Sequence, residues 1–240
     1  MILGILQCDD VRPELQAKYG NYPQMFISLF ESVGVTIQFK VYRVIDGQYP
    51  ESIDRCDAYI TTGSRFGVND DADWIRRFEQ FVVELYLANK RFIGICFGHQ
   101  MMAKALGGQI KPSEKGWGIG VNKAQIVLPQ AWMSADLNEI SLVVSHQEQV
   151  VKLPEDAVIL AGSEFCPFYM MQIKQHFLGI QGHPEFSKEY VRALMDARRD
   201  CIPAQQITAG IESLSMPVDA ALVSRWLVNF LIQTRAGGHL

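Results

Sequence analysis

Short β-rich runs alternate with longer amphipathic stretches through the first half of the chain. The runs Ile2–Leu6, Thr36–Val41, Ala58–Thr62 and Phe92–Ile95 predict strands. Between them, Gln24–Val33, Ala72–Asn89 and Gly98–Leu106 carry apolar residues at three- and four-residue spacing, as in Phe78, Phe81, Val82 and Leu85, and predict helices. This βαβ rhythm predicts a mostly parallel sheet with helices on both faces, whose sites collect at the carboxyl ends of the strands.

After Gly107-Gly108, a helix stop, the pattern shortens to strand-like pieces: Val121–Val127, Ser141–Ser145, Val158–Ala161, Tyr169–Ile173 and Phe177–Ile180. These extend the sheet or form a small antiparallel flap. Two helical segments close the chain, Lys188–Arg199 and about Val218–Thr234, the second entered through Pro217. The expected fold class is α/β, flavodoxin-like, with a small antiparallel extension and a C-terminal helical segment. The break near Cys201-Ile202-Pro203 suggests one domain over 1–200 and a helical extension, 201–240, packed on it.

Composition narrows the function classes. With 240 residues, 48% hydrophobic and 20% charged, the chain can bury a core without disulfide or metal staples. It is too short to hold a synthetase with its own nucleotide site. Twenty-two basic against 26 acidic side chains lack the footprint of a nucleic-acid or anionic-membrane binder. Five cysteines, an odd number with no C-x-x-C pair, read as reduced thiols. The first residues lack the basic region and apolar length of a signal peptide, and no run approaches a bilayer span, so a cytoplasmic protein is expected.

The chemistry concentrates at Gly94-Ile95-Cys96-Phe97-Gly98, where an apolar strand runs straight into a helical pattern. This is a G-x-nucleophile-x-G elbow with cysteine as the nucleophile. Such a turn strains the central residue, which is tolerable only when flanking residues have no Cβ to clash. The helix N-terminus then favours thiolate over thiol and aims the Phe97 amide at a developing oxyanion. Taken alone, Cys96 is equally a small buried hydrophobe.

A second signal lies near Gln181-Gly-His183-Pro-Glu185. A cysteine nucleophile needs a base held in one orientation by a third group. In an extended segment, residues i and i+2 point the same way, and Pro184 pushes His183 into the extended region, so Glu185 can reach the imidazole. The bland alternative is a turn followed by a helix start; the elbow upstream favours the functional reading.

Gly94-Ile-Cys96-Phe-Gly-His-Gln100 together with His183-Pro-Glu185 resembles the class I, triad-type glutamine amidotransferases, as do Ser145-His146 and Glu114-Lys-Gly-Trp117. The similarity spans roughly residues 40–190. It implies Cys96 as nucleophile, His183 as general base and acid, Glu185 as the orienting carboxylate, and hydrolysis of a γ-glutamyl amide through a thioester with release of ammonia. It also implies a second oxyanion donor at Thr61-Thr62-Gly63-Ser64, from the amide of Gly63 or Ser64. Gln100, one helical turn from Cys96, is implied to hold the amino-acid end of the substrate.

Ser145 and His146 complete the substrate-contact candidates; His146 lines the edge of the site or is a polar loop histidine after a strand. His99 is a competing base by proximity, but its place in the helix points it away from the sulfur. His176 and His239 lack motif support, and Trp117 shapes the pocket or simply packs. No cofactor is expected, nor a metal, since no ligand spacing is recognisable.

Three functions compete. The first is a glutaminase passing ammonia to a separate synthase subunit. The second is a stand-alone γ-glutamyl hydrolase, since the Cys96, Ser145-His-Gln-Glu-Gln and Gln181-Gly-His-Pro-Glu-Phe186 stretches are similar to the plant γ-glutamyl peptidases. The third is a non-catalytic or DJ-1-like protein. The substrate is a small molecule in either enzyme.

Overall fold

In the computed structural model, which describes residues 1–134 and 137–233, the chain opens with β1 (Ile2–Gln7), α1 (Pro13–Tyr19), α2 (Tyr22–Ser32), β2 (Gln38–Arg43), β3 (Ala58–Thr61), α3 (Asp73–Leu87), β4 (Arg91–Ile95) and α4 (Phe97–Ala105). Seven strands follow: β5 (Gln109–Pro112), β6 (Gly118–Ile126), β7 (Glu139–His146), β8 (Glu148–Lys152), β9 (Ala157–Gly162), β10 (Met170–Ile173) and β11 (Phe177–Ile180). Helices α5 (Lys188–Asp196), α6 (Ala204–Ser213) and α7 (Ala220–Ile232) complete it.

Nine strands form one sheet in the order β2-β1-β3-β4-β11-β10-β9-β6-β7. The first five are parallel and the last four join antiparallel. β5 and β8 form a separate antiparallel ribbon. The five later strands read from the sequence all extend the sheet, as β6, β7, β9, β10 and β11, while the flap is built from β5 and β8, which that reading did not include.

β3, β4 and β11 have no exposed residue, as continuous apolar runs require in a sheet covered on both faces. On one face Ile60, Ile93 and Ile180 pack against Phe26 and Phe30 of α2 and Trp226 and Phe230 of α7. On the other, Tyr59, Phe92 and Phe177 meet Phe78 and Phe81 of α3 and Met101 and Met102 of α4. A third cluster seats Tyr190 and Leu194 of α5 and Ile207 of α6 on Ile119, Val121 and Val143. Arg91, at the start of β4, donates to the Leu231 and Gln233 carbonyls and ties down the end of α7.

The departures from the sequence-based expectation have local causes. α2 starts at Tyr22 rather than Gln24 because Asn21 and Gln24 form a capping box around Pro23. β2 sits at Gln38–Arg43, displaced from Thr36–Val41, where it pairs with β1. α5 stops at Asp196, short of Arg199. α1 buries none of its residues, which explains why periodicity did not reveal it. The expected helix end at Thr234, and His239, lie outside the described residues. Among the described residues no helix is long and apolar enough to cross a membrane.

Candidate active site

β4 delivers Cys96 at the carboxyl end of the parallel strands, and Phe97 already begins α4. Cys96 has φ +49° and ψ −94°, a left-handed conformation that a residue with a side chain holds only when its surroundings enforce it. Its two glycine neighbours supply that enforcement. A Cβ on Gly94 would lie 2.5 Å from the Gly98 backbone, and one on Gly98 would lie 1.8 Å from Thr61 Oγ1. The turn can close only where both are absent.

β11 runs parallel to β4 with Ile180 beside Ile95, so the segment after β11 emerges next to the elbow. His183 is fixed there by its backbone N–H, which donates to the Val143 carbonyl at 2.9 Å. Its Nδ1 lies 2.7 Å from Glu185 Oε1, and the Cys96 side chain is near enough to act on the charge of the ring. Phe186 stacks on the imidazole, with centroids 4.0 Å apart and planes 6° apart. Burial by itself disfavours the imidazolium. The charges of Glu185 and Cys96, with the hydrogen bond to Glu185, outweigh it and carry His183 up to about 10. Gln181 also reaches the sulfur, its Nε2 standing 3.4 Å from Cys96 Sγ.

The loop after β3 is stapled to the end of β1. Cys8 N–H donates to Thr62 Oγ1, Ser64 Oγ donates to the Cys8 carbonyl, and the Arg65 N–H donates to Asp9 Oδ2. Phe66 N–H is taken by Ser64 Oγ and Gly67 N–H by Asp70 Oδ2. Thr62 N–H is bound to the Leu6 carbonyl. Among the described residues this leaves the Gly63 and Ser64 amides, and that of Phe97 at the start of α4, without an acceptor. Gly63 packs against His183: a Cβ there would lie 2.9 Å from His183 Cε1.

A cavity of about 260 Å³ opens over Cys96 and Phe97, with Ser64, Gln100, Ser145 and His146 in its walls. Six of the nine residues singled out in the sequence therefore face one space; His183, Glu185 and Gly63 lie outside its lining, with His183 against Cys96. Gln100 is engaged, its Nε2 donating to the Glu148 carbonyl at 2.7 Å and to Gln181 Oε1 at 3.1 Å. His146 is not a loop histidine. It ends β7, is 5% exposed, and burial pulls it down to about 4. His99 is wholly buried, with Nδ1 against Gly179, and burial pulls it down to about 3. Trp117 does line the cavity, under the guanidinium of Arg198, which also donates to Ser145 Oγ at 2.8 Å.

Sequence reasoning assigns no role to Gln181, Arg198 or Glu148. Gln181 stands two residues before His183, at the head of the histidine segment, where the sequence gives it no role of its own. Arg198 and Glu148 come together with the site only through the fold. Among the described residues no three His, Cys, Asp or Glu side chains form a group that could hold a metal ion.

The family described as glutamine amidotransferase class-I matches residues 50–194, a stretch holding the elbow, the histidine segment and most of the cavity wall. The chain belongs to the class I glutamine amidotransferases. Among members, γ-glutamyl peptidase 3 of Arabidopsis thaliana is 36% identical over 186 residues, 74% of each chain. The glutamine-hydrolysing GMP synthase subunit of Archaeoglobus fulgidus is 39% identical over 105 residues, 42% of this chain and 57% of that one. A solved glutamine amidotransferase from Thermotoga maritima superposes with a TM-score of 0.74 at 17% identity, covering 97% of this chain and 98% of its own. The family's fold thus extends beyond the matched stretch into both ends of the chain.

Proposed function

We propose that this amidotransferase-family protein is a γ-glutamyl amidohydrolase acting through a Cys96–His183–Glu185 triad. Cys96 Sγ attacks the γ-carbonyl carbon, and His183 first holds the thiol proton and then gives it to the leaving nitrogen. The departing amine leaves a γ-glutamyl thioester, which a water deprotonated by His183 hydrolyses to glutamate and free Cys96. Glu185 keeps Nδ1 engaged so that the opposite nitrogen serves the sulfur. The oxyanion is received by the Phe97 amide and by Gly63 or Ser64, the loop amides left free. Gln100, Ser145 and His146 shape the substrate end of the cavity. Residues 1–200 carry the reaction, with the segment from 201 onward as an extension, and the unpaired cysteines fit a reducing, cytoplasmic setting.

The observation that carries this proposal is the 2.7 Å His183–Glu185 contact on a segment that β11 delivers beside the strained Cys96 elbow. The likeness to a γ-glutamyl peptidase favours a hydrolase that works alone. The likeness to a GMP synthase subunit supports the competing role, supply of ammonia to a separate synthase. Incubating the purified chain with L-glutamine and with γ-glutamyl dipeptides, and measuring ammonia and released amino acid, separates the two. Peptide turnover without a partner is expected. Glutaminase activity that appears only on adding a synthase subunit would replace the first role by the second, and no turnover of any γ-glutamyl amide would sink both.

A further inference from the structure

Two acidic side chains of the cavity wall converge over Gly67. A Cβ placed on that glycine would lie 2.8 Å from Glu148 Oε2 and 3.2 Å from Asp70 Oδ1. Glu148 opens β8, and its backbone carbonyl is anchored by Gln100 Nε2 at 2.7 Å, with His146 Nδ1 at 3.1 Å. Its Oε2 is buried and meets no hydrogen-bond donor. Asp70 receives the Gly67 N–H but, like Glu148, forms no ion pair with a lysine or arginine among the described residues. Burial and the neighbouring Asp70 charge push the Glu148 carboxyl up, the mark of an anion without a counter-ion.

The same cavity also carries positive charge. Arg65, held by Asp9, and Arg198, held by Ser145 and lying over Trp117, both contribute to its lining. A space above a nucleophilic sulfur that presents an unpaired carboxylate pair and two guanidiniums complements a zwitterion. Among the described residues the two carboxylates belong to no group of three ligands that could hold a metal ion, and an organic ammonium, which needs only acceptor oxygens, is a cation they can receive.

We propose that Glu148, assisted by Asp70, is a specificity-determining residue that receives the α-ammonium of the substrate's γ-glutamyl group, with the α-carboxylate turned toward Arg65 and Arg198. The site then takes γ-linked amides with a free amino-acid head and discriminates against N-acylated or deaminated analogues. This assignment rests on the γ-glutamyl amidohydrolase proposed above.

The test compares two chromogenic amides with the same leaving group, L-γ-glutamyl-p-nitroanilide and glutaryl-p-nitroanilide, which lacks only the ammonium. The native chain should prefer the first by about 10²-fold or more in kcat/KM, as expected when a buried polar partner is left unpaired by the analogue. Glu148→Gln should shrink that ratio at least about tenfold and Asp70→Asn by less. Asp70→Asn reads the same ratio should Glu148→Gln fail to fold. A native ratio near one, or a ratio unchanged in the folded variants, would overturn the assignment. If the native chain cleaves neither anilide and no γ-glutamyl peptide, the amidohydrolase itself falls and takes this assignment with it.

Discussion

The parallel and antiparallel halves of the sheet treat the site differently. Cys96 and His183 follow neighbouring parallel strands, β4 and β11, and their placement is set by backbone: two glycines, a strained turn and a main-chain bridge to Val143. Ser145 and His146 come from the antiparallel half, Glu148 from the ribbon, and Trp117 and Arg198 from segments beside it. Their positions depend on side-chain hydrogen bonds and stacking. The atoms proposed to react thus sit on the part of the molecule least able to shift, and the contacts that would choose a substrate sit where one side chain can be exchanged for another.

The division can be broken first on the parallel side. Cys96→Ala or His183→Ala should lower amide turnover by about 10⁴-fold or more with the urea midpoint little changed. Turnover retained in Cys96→Ala would remove covalent catalysis through that sulfur. Glu185→Gln, which keeps the shape but weakens the hold on Nδ1, should cost about 10²-fold in kcat, read by steady-state kinetics. A fall as deep as that of His183→Ala would mean that Glu185 does more than orient the ring.

A finer probe crosses both halves and uses pH. His99 and His146 are held neutral in the fold, at about 3 and about 4, against an ordinary value near 6.5. Between pH 6.5 and 4 the unfolded chain therefore binds two protons that the folded chain refuses. Stability present above pH 6.5 is lost on acidification, by up to about 2.7 kcal/mol per pH unit. His183 has the opposite sign: raised to about 10, its contribution is complete below about 6.5 and is lost as the pH rises through 10. Denaturation midpoints followed across pH should peak near 6.5. A flat acid limb would mean that the two buried rings take up protons in the folded chain.

The same contrast explains what the sequence disclosed. β1, β3, β4 and β11 were readable because strands buried on both faces become unbroken apolar runs. The elbow was readable because its glycines are a steric requirement written at fixed spacing. β5 and β8 escaped notice since neither is apolar enough to stand out: Gln109-Ile-Lys-Pro112 buries only Ile110. Arg198 carries no local mark, and Glu148, though inside the Ser145-His-Gln-Glu-Gln stretch, has none that gives it a role, because what gives them a place at the site is a partner 53 or 48 positions away, Ser145 or Gln100. Proximity over such separations is a property of the tertiary fold. The resemblance points to Gly63 or Ser64 for the proposed second oxyanion donor, and the bonding of their neighbours shows why those two amides remain available.

The steric closure around Gly94 and Gly98 also bears on how this protein can change over time. The side chain at position 96 lines the cavity, so the backbone there would accept a different side chain at the same conformational expense, about 1–3 kcal/mol. Positions 94 and 98 have no such latitude, since even one methyl group would strike main chain or Thr61. Around this reaction centre, the least replaceable residues are two that have no side chain at all.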